Sequence, residues 1–458
     1  MTPRAAAPAR KSSPSAPIAA QPTRLAAGIL TALLAACGAT PEPASPAPAA
    51  TVRAAGGSGG VNDPAVRARP YVVLVSFDGF RPDYLHRFGT PHFARLAARG
   101  ARAEGLVTVF PSVTFPGHYS LATGLYPEAH GIVGNRFYDP ARDDEFDFRD
   151  DDAADGSWWG GEPIWVTAEL QGMVTAAFFF PGTEADIGGV RPSHWRPYDG
   201  SVPNPERIAQ VLAWLALPEG ERPHLITLYF SLVDSAGHNL GPDAAGMRRS
   251  VEAADRLLGR LLDGVDALPH AGRVALVVVS DHGMAAPDPD RLTVLPDVAD
   301  LRGVRLVAAG PAMSVHVGEP ARSRALRDAL NAGLTHARAH LREEIPARLH
   351  VRGTPRIGDI LVIPDGLGLV GFRRVVERVR LLLRPGMHGW DPHLPEMHGI
   401  FLAAGPGIGA GVTLPPVEAV DVYPLVAHLL GLTPHPAVAG DLAPFAAALT
   451  EAEQEPAP

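Results

Sequence analysis

Five short apolar runs constrain this 458-residue chain more than any other feature of it. The first, Tyr71-Val-Val-Leu-Val-Ser-Phe77, is rich in β-branched residues and almost continuously apolar, the pattern of a strand covered on both faces. Similar runs recur at Val174 to Phe180, Leu225 to Val233, Val274 to Ser280 and Ile400 to Ala404. Helix-like stretches lie between them at Pro91 to Arg99, Pro205 to Leu217 and Ala244 to Leu262. Strands alternating with helices predict an α/β fold, with a mostly parallel central sheet and helices on both of its faces. No internal repeat is visible.

In open α/β sheets ligands bind beyond the carboxyl ends of the strands, so the polar residues placed there carry the functional information. One run leads into Asp78 of Ser76-Phe-Asp-Gly-Phe-Arg81. A second ends in Asp234-Ser-Ala-Gly-His238, whose four-residue spacing lets both side chains converge on one ion if the chain turns into a helix. A third ends in Asp281-His282-Gly283. A lone Asp after a strand is more often a turn or capping residue. Three such ends offering carboxylate and imidazole donors are hard to explain independently as caps, and that donor set suits zinc. Pro111-Ser-Val-Thr-Phe-Pro-Gly-His118 supplies a candidate nucleophile. Thr114 falls between an expected strand, Gly105 to Phe110, and a helix expected to start near His118, where a helix N-terminus favours anions. A nearby cation would lower its hydroxyl pKa, although a Ser or Thr at such a junction is commonly just a cap.

Composition narrows the class. Hydrophobic residues make up 46% and aromatics 7%, with 48 Gly and 47 Pro, which describes a loop-rich globular protein rather than a fibre or a membrane bundle. A formal charge of -9 argues against a general nucleic-acid surface, so an anionic substrate has to be held locally.

The N-terminus reads as an export signal. Arg4, Arg10, Lys11 and Arg24 precede the apolar run Leu25 to Ala36, and no acidic residue occurs before that run ends. The run is short of the roughly 20 apolar residues that span a bilayer. Leu34-Ala35-Ala36-Cys37 resembles the bacterial lipobox, and Cys37 is the only cysteine, so no disulfide accounts for it. The expected organisation is a lipoprotein signal peptide at 1–36, then lipidated Cys37 and a Pro/Ala/Gly-rich tether to residue 69. A catalytic domain follows at 70–446 with an Arg-rich accessory insertion at about 285–385, and a flexible tail at 447–458. This predicts a membrane-anchored bacterial lipoprotein facing the periplasm.

Taken together, Val73-Leu-Val-Ser-Phe-Asp-Gly-Phe-Arg81, Thr90-Pro-His and Thr114-Phe-Pro-Gly-His-Tyr-Ser-Leu-Ala-Thr-Gly-Leu-Tyr-Pro-Glu-Ala-His-Gly-Ile132 resemble the nucleotide pyrophosphatase/phosphodiesterases of the alkaline phosphatase superfamily. The resemblance resumes at Tyr229 to His238, Ser280 to Gly283, His388-Gly-Trp-Asp391 and Met397 to Gly407. It implies an alkaline-phosphatase-like fold and a two-zinc phosphodiesterase working through a covalent phosphothreonine-type intermediate. One zinc would be held by Asp234, His238 and His388, the other by Asp78, Asp281, His282 and the Thr114 oxygen. His388 is preferred over His393 and His398 because it begins the family's His-Gly-aromatic-Asp signature. Asn135 resembles the asparagine that donates to a non-bridging phosphate oxygen. Tyr198 and Tyr229 resemble aromatic positions of a nucleotide-base slot, and Phe115 beside the nucleophile is expected to line the same pocket; core packing is the alternative for all three. Gly117 and Pro392 stand where the family commonly has Asn. The partner implied is a small phosphodiester or nucleotide. A metal-dependent phosphomonoesterase or phosphonate hydrolase would share the metal framework, whereas a sulfatase would need a Cys or Ser where Thr114 stands. The acidic stretch Asp139 to Asp152 is expected to be a solvated loop, with a place near the pocket mouth as the other reading.

Overall fold

Successive side chains of β1 (Tyr71–Phe77) point into two different cores, which is why it is apolar at every position but Ser76. Val72 and Leu74 face one, Tyr71, Val73, Val75 and Phe77 the other. The computed structural model describes residues 60–381 and 386–450, so the expected signal segment, Cys37 and most of the tether lie outside the described residues. The remaining strands of the main sheet are β2 (Ala101–Ala103), β3 (Thr175–Phe178), β4 (Leu225–Phe230), β5 (Val274–Val279), β6 (Phe401–Ala404) and β7 (Val412–Leu414). They lie in the order β7-β2-β6-β5-β1-β4-β3. β1 pairs in parallel with β4 and β5 on its two sides, β3 parallels β4, and β6 alone runs antiparallel to its neighbours. The mostly parallel sheet expected from the alternating pattern is therefore present.

Helices α1 (Pro91–Arg99), α3 (Asn204–Leu215) and α5 (Met247–Asp266) bury Phe93, Val211, Val251 and Leu258 against one face of the sheet. Helices α2 (Thr114–Thr123) and α6 (Val422–Leu430) bury Tyr119, Leu121, Tyr423 and Val426 against the other. Leu74→Ala would open a void between β1 and that second layer and cost about 2–5 kcal/mol.

Local departures from the sequence pattern have identifiable causes. The apolar run from Leu225 stops being a strand at Phe230, and Leu232 begins α4 (Leu232–Leu240), so Val233 is buried as a helical residue. The strand expected over 105–110 is only Leu106–Val107. The helix expected near His118 starts at Thr114, because Pro116 falls in the first turn, where a backbone N–H has no intrahelical partner to lose.

The region 285–385 forms its own antiparallel sheet from Arg305–Ala309, Ala312–His316, Ile360–Pro364 and Ala337–Leu341. The helix Pro320–Gly333 covers it over a separate core of Met313, Val315, Leu326, Leu330 and Val362. Two ends of the body are fastened further out than the sequence pattern indicates. Asn62 is buried, donates to the carbonyls of Glu219 and Arg222 and accepts from Val174 N, while Arg273 donates to the carbonyls of Arg67 and Arg69. At the other end, Gly409 N donates to Ala448 O and Thr450 N to Gly407 O. Among the described residues no helix is long and apolar enough to cross a membrane.

Candidate active site

β1, β4 and β5 all deliver acidic residues at their carboxyl ends. Asp78 follows β1, Asp281 and His282 follow β5, and the chain leaving β4 enters α4 with Asp234 in its first turn. The helix brings His238 onto the face of Asp234, with its Nε2 3.3 Å from Asp234 Oδ1. Asp234 N donates to Asp78 O at 3.0 Å, so the two strand exits are tied directly. Gly79 allows this approach: its φ is +69°, and a Cβ there would stand 2.9 Å from Asp234 Cα. His388 reaches the same place, with Nε2 3.6 Å from Asp234 Oδ1. His393 is half exposed beside Asp391, and His398 packs under Gly105, so neither joins the cluster.

Hydrogen bonding shows which way the histidines face. Nδ1 of His238 lies 2.9 Å from Gly386 O, Nδ1 of His282 2.9 Å from Gly283 O, and Nδ1 of His388 2.9 Å from Ser112 O. A carbonyl only accepts, so each Nδ1 carries the proton and each Nε2 turns a lone pair inward. Those lone pairs meet Asp78 Oδ1, Asp234 Oδ1 and Asp281 Oδ2, three buried oxygens with no hydrogen-bond partner among the described residues. The short contacts between them, 3.1 Å from His282 Nε2 to Asp281 Oδ2 and 3.4 Å to Asp78 Oδ1, are acceptor against acceptor. Such an arrangement fits divalent cations that the carboxylates and imidazoles surround. Donor atoms of Asp234, His238 and His388 lie within 4.8 Å of one another, as do those of Asp78, Asp234 and His282.

The electrostatics agree with the geometry. Burial, and then the charges of Asp281 and Asp234, raise the Asp78 carboxyl well above the ordinary range; burial, and then Asp234, do the same to Asp281. Burial pushes His282 well below its usual value, with His388 adding to the shift, and brings His388 itself down to about 4, with His238 contributing. Crowded carboxylates that resist ionising and imidazoles that resist protonation are what a site built around added positive charge shows without it.

Thr114 is the first residue of α2, partly exposed, with Oγ1 3.5 Å from His282 Nε2. Its helix lies hard against Asp281, since a Cβ on Gly117 would stand 2.8 Å from Asp281 O. Asn135 is beside it: Phe115 N donates to Asn135 Oδ1 at 2.8 Å, and Asn135 Nδ2 has no partner among the described residues. Phe115 is partly buried against Phe148 at 5.2 Å and Trp159 at 5.9 Å between ring centres. Tyr198 is 49% exposed, edge-on to Tyr229 at 6.1 Å. Tyr229 is almost fully buried and its hydroxyl donates to Asp78 Oδ2 at 2.6 Å, so it holds a candidate metal ligand in addition to presenting a ring. The acidic stretch is partly structured: Asp139 is buried and bonded to Arg356, and Glu145 bonds to both Arg136 and Arg305. Sequence reasoning missed the Ser112, Gly283 and Gly386 carbonyls that orient the histidines, because a backbone acceptor leaves no trace in residue type. The tyrosine hydroxyl on Asp78 was likewise invisible.

A family model described as type I phosphodiesterase / nucleotide pyrophosphatase matches residues 72–390, and the chain belongs to that family. Human ectonucleotide pyrophosphatase/phosphodiesterase family member 1 is 34% identical over 394 residues, covering 82% of this chain and 42% of the relative. Venom phosphodiesterase 2 of Crotalus adamanteus is 33% identical over 389 residues, covering 83% of this chain and 47% of the relative. The chain thus spans about half the length of these curated relatives. Human ectonucleotide pyrophosphatase/phosphodiesterase 5 superposes with a TM-score of 0.77 at 32% identity, covering 83% of this chain and all of that one. An inactive threonine-to-alanine form of the murine protein in complex with AMP superposes with the same TM-score at 31% identity, with the same coverage of both chains. The fold is the alkaline-phosphatase-like α/β fold that the sequence resemblance implied.

Proposed function

We propose that this chain hydrolyses phosphodiester or phosphoanhydride bonds of nucleotide-type substrates, with Thr114 as nucleophile and two divalent cations as cofactors, zinc suiting the donors best. The observation that carries this reading is the position of Thr114 Oγ1, at a helix N-terminus and 3.5 Å from His282 Nε2, on the rim of a ring of inward-facing acceptors. Asp234, His238 and His388 would hold one cation and Asp78, Asp281 and His282 the other. Bound there, the cations supply the positive charge that makes a hydroxyl or a water nucleophilic at neutral pH.

Thr114 Oγ1 gives up its proton and attacks phosphorus, the bond to the leaving alcohol or phosphate breaks and that group departs with a proton from solvent, and the phosphoryl group with its remaining ester substituent stays on Thr114. Water then attacks the same phosphorus, the phosphate monoester is released and Thr114 regains its proton. Asn135 Nδ2 is positioned to donate to a non-bridging oxygen once its Oδ1 is fixed by Phe115 N. The AMP held by the threonine-to-alanine neighbour supports both the nucleotide class and the role of the threonine.

Charge favours a diester. Two divalent ions against the carboxylates of Asp78, Asp234 and Asp281 leave a formal charge of about +1, a match for one ester negative charge rather than the near-double charge of a monoester. The cation beside Asn135 adds little, because Arg136 is paired with Glu145. Phe115 and the exposed face of Tyr198 offer aromatic surface for the second ester substituent. The test is the ratio of kcat/KM for an aryl nucleotide diester over the matching aryl monoester. It is expected to exceed one by several orders of magnitude and to fall in Tyr198→Ala; equal or better monoester turnover would move the chain to the phosphomonoesterases. The lipobox-like run before Cys37 further supports export and lipid anchoring in the periplasm as part of this proposal.

A further inference from the structure

We propose that His118 is a positioning residue, a buried imidazole that fixes where Thr114 stands relative to Asp281. It builds on the reading of Thr114 as nucleophile given above. His118 lies one turn after Thr114 in α2 and is fully buried. Its Nδ1 is 2.8 Å from Thr114 O and 3.1 Å from Asp281 Oδ2, and its Nε2 is 2.8 Å from Ser76 Oγ. Thr114 O and an ionised Asp281 can only accept, so the proton sits on Nδ1 and the Ser76 hydroxyl donates to Nε2. The N–H is directed at Thr114 O, and Asp281 Oδ2 stands beside it, close enough to feel its partial positive charge. Ser76 lies two residues before Asp78 in β1. One ring therefore touches all three segments that present Thr114, Asp281 and Asp78.

The same bonds exclude a proton-transfer role for the ring. Nε2 is occupied by Ser76, and Nδ1 faces the Thr114 carbonyl rather than its hydroxyl. What the ring can do is restrain the first turn of α2. Gly117 has already brought that turn against the Asp281 backbone, and a small rotation there carries Thr114 Oγ1 out of line with phosphorus. A core histidine serving only to fill space would be replaceable by an apolar residue of similar size without loss of rate.

His118→Leu keeps the bulk and removes the N–H, while His118→Asn returns an amide N–H close to where Nδ1–H was. In zinc-loaded enzyme His118→Leu is expected to lower kcat by about 10- to 100-fold with KM little changed, the range seen when a group orienting a metal ligand is lost. His118→Asn should recover most of that loss. Ser76→Ala, which leaves the ring in place, should lower kcat less and add nothing to His118→Leu. Zinc content and the zinc-induced rise in Tm, read on the same samples, should show that both cations still bind. Unchanged kcat in His118→Leu, Asn as impaired as Leu, or additive losses with Ser76→Ala would overturn the proposal; if His118→Leu does not fold, unchanged kcat in Ser76→Ala overturns it alone. Full turnover by Thr114→Ala would instead refute the nucleophile assignment, so the two failures are separable.

Discussion

The Nε2 atoms of His238 and His388 face each other at 3.1 Å while the opposite nitrogens of both rings are bonded to backbone carbonyls. Two lone pairs held that close repel unless a cation lies between them, and Asp234 Oδ1 is within 3.6 Å of both nitrogens. Chelator-treated protein is therefore expected to take up two zinc ions per chain and to gain stability in doing so, by about 2.7 kcal/mol per site at a free zinc concentration one hundred times that site's Kd. His388→Ala should take up one fewer and show a smaller rise in Tm. Metal analysis alongside thermal unfolding checks this; a metal-free protein that neither binds zinc nor shifts in Tm would contradict it.

Acid sensitivity should trace in part to a histidine away from the metal cluster. His130 is fully buried between Ser120 Oγ and Ile132 N, and burial lowers its pKa from 6.5 to about 3. Above pH 6.5 both folded and unfolded chains hold it neutral. Below that the unfolded chain binds a proton that the folded one refuses, so stability falls as pH drops towards 3, at about 1.4 kcal/mol per pH unit. In chelator, so that metal occupancy does not vary, His130→Asn should lose about 2 kcal/mol less than the wild type between pH 7 and pH 5. Urea unfolding at the two pH values measures it, and identical slopes would refute it.

The central strands and the acidic residues at their ends were legible because a strand buried on both faces admits little polarity, and no charge, until it stops. Val72 to Phe77 followed by Asp78, and Val274 to Val279 followed by Ser280-Asp281, record that change directly. Asp234 and His238 were legible as a pair only on condition of a helix, which α4 supplies. The helix expected near His118 begins four residues earlier, at Thr114, with Pro116 inside its first turn, where the missing N–H costs no intrahelical bond. Tyr229 was read as a ring; that its hydroxyl bonds to Asp78 depends on the parallel register of β1 with β4, which no local pattern encodes.

Cys37 lies outside the described residues, and its proposed lipidation is tested by fractionation. Cys37→Ala should move the protein from the membrane to the soluble fraction with kcat unchanged, because the anchor would lie well before Asn62, which is bonded to the body of the domain. Undiminished membrane association would contradict the lipobox reading.

The most direct test of the account is to trap the phosphoryl enzyme. Zinc-loaded protein mixed with a phosphorus-labelled nucleotide diester and quenched in acid should carry label on the peptide containing Thr114. Thr114→Ala should carry none and turn over negligibly while still binding zinc, since Asp78, Asp281 and His282 remain. Label on any other residue, or full turnover by Thr114→Ala, would contradict it.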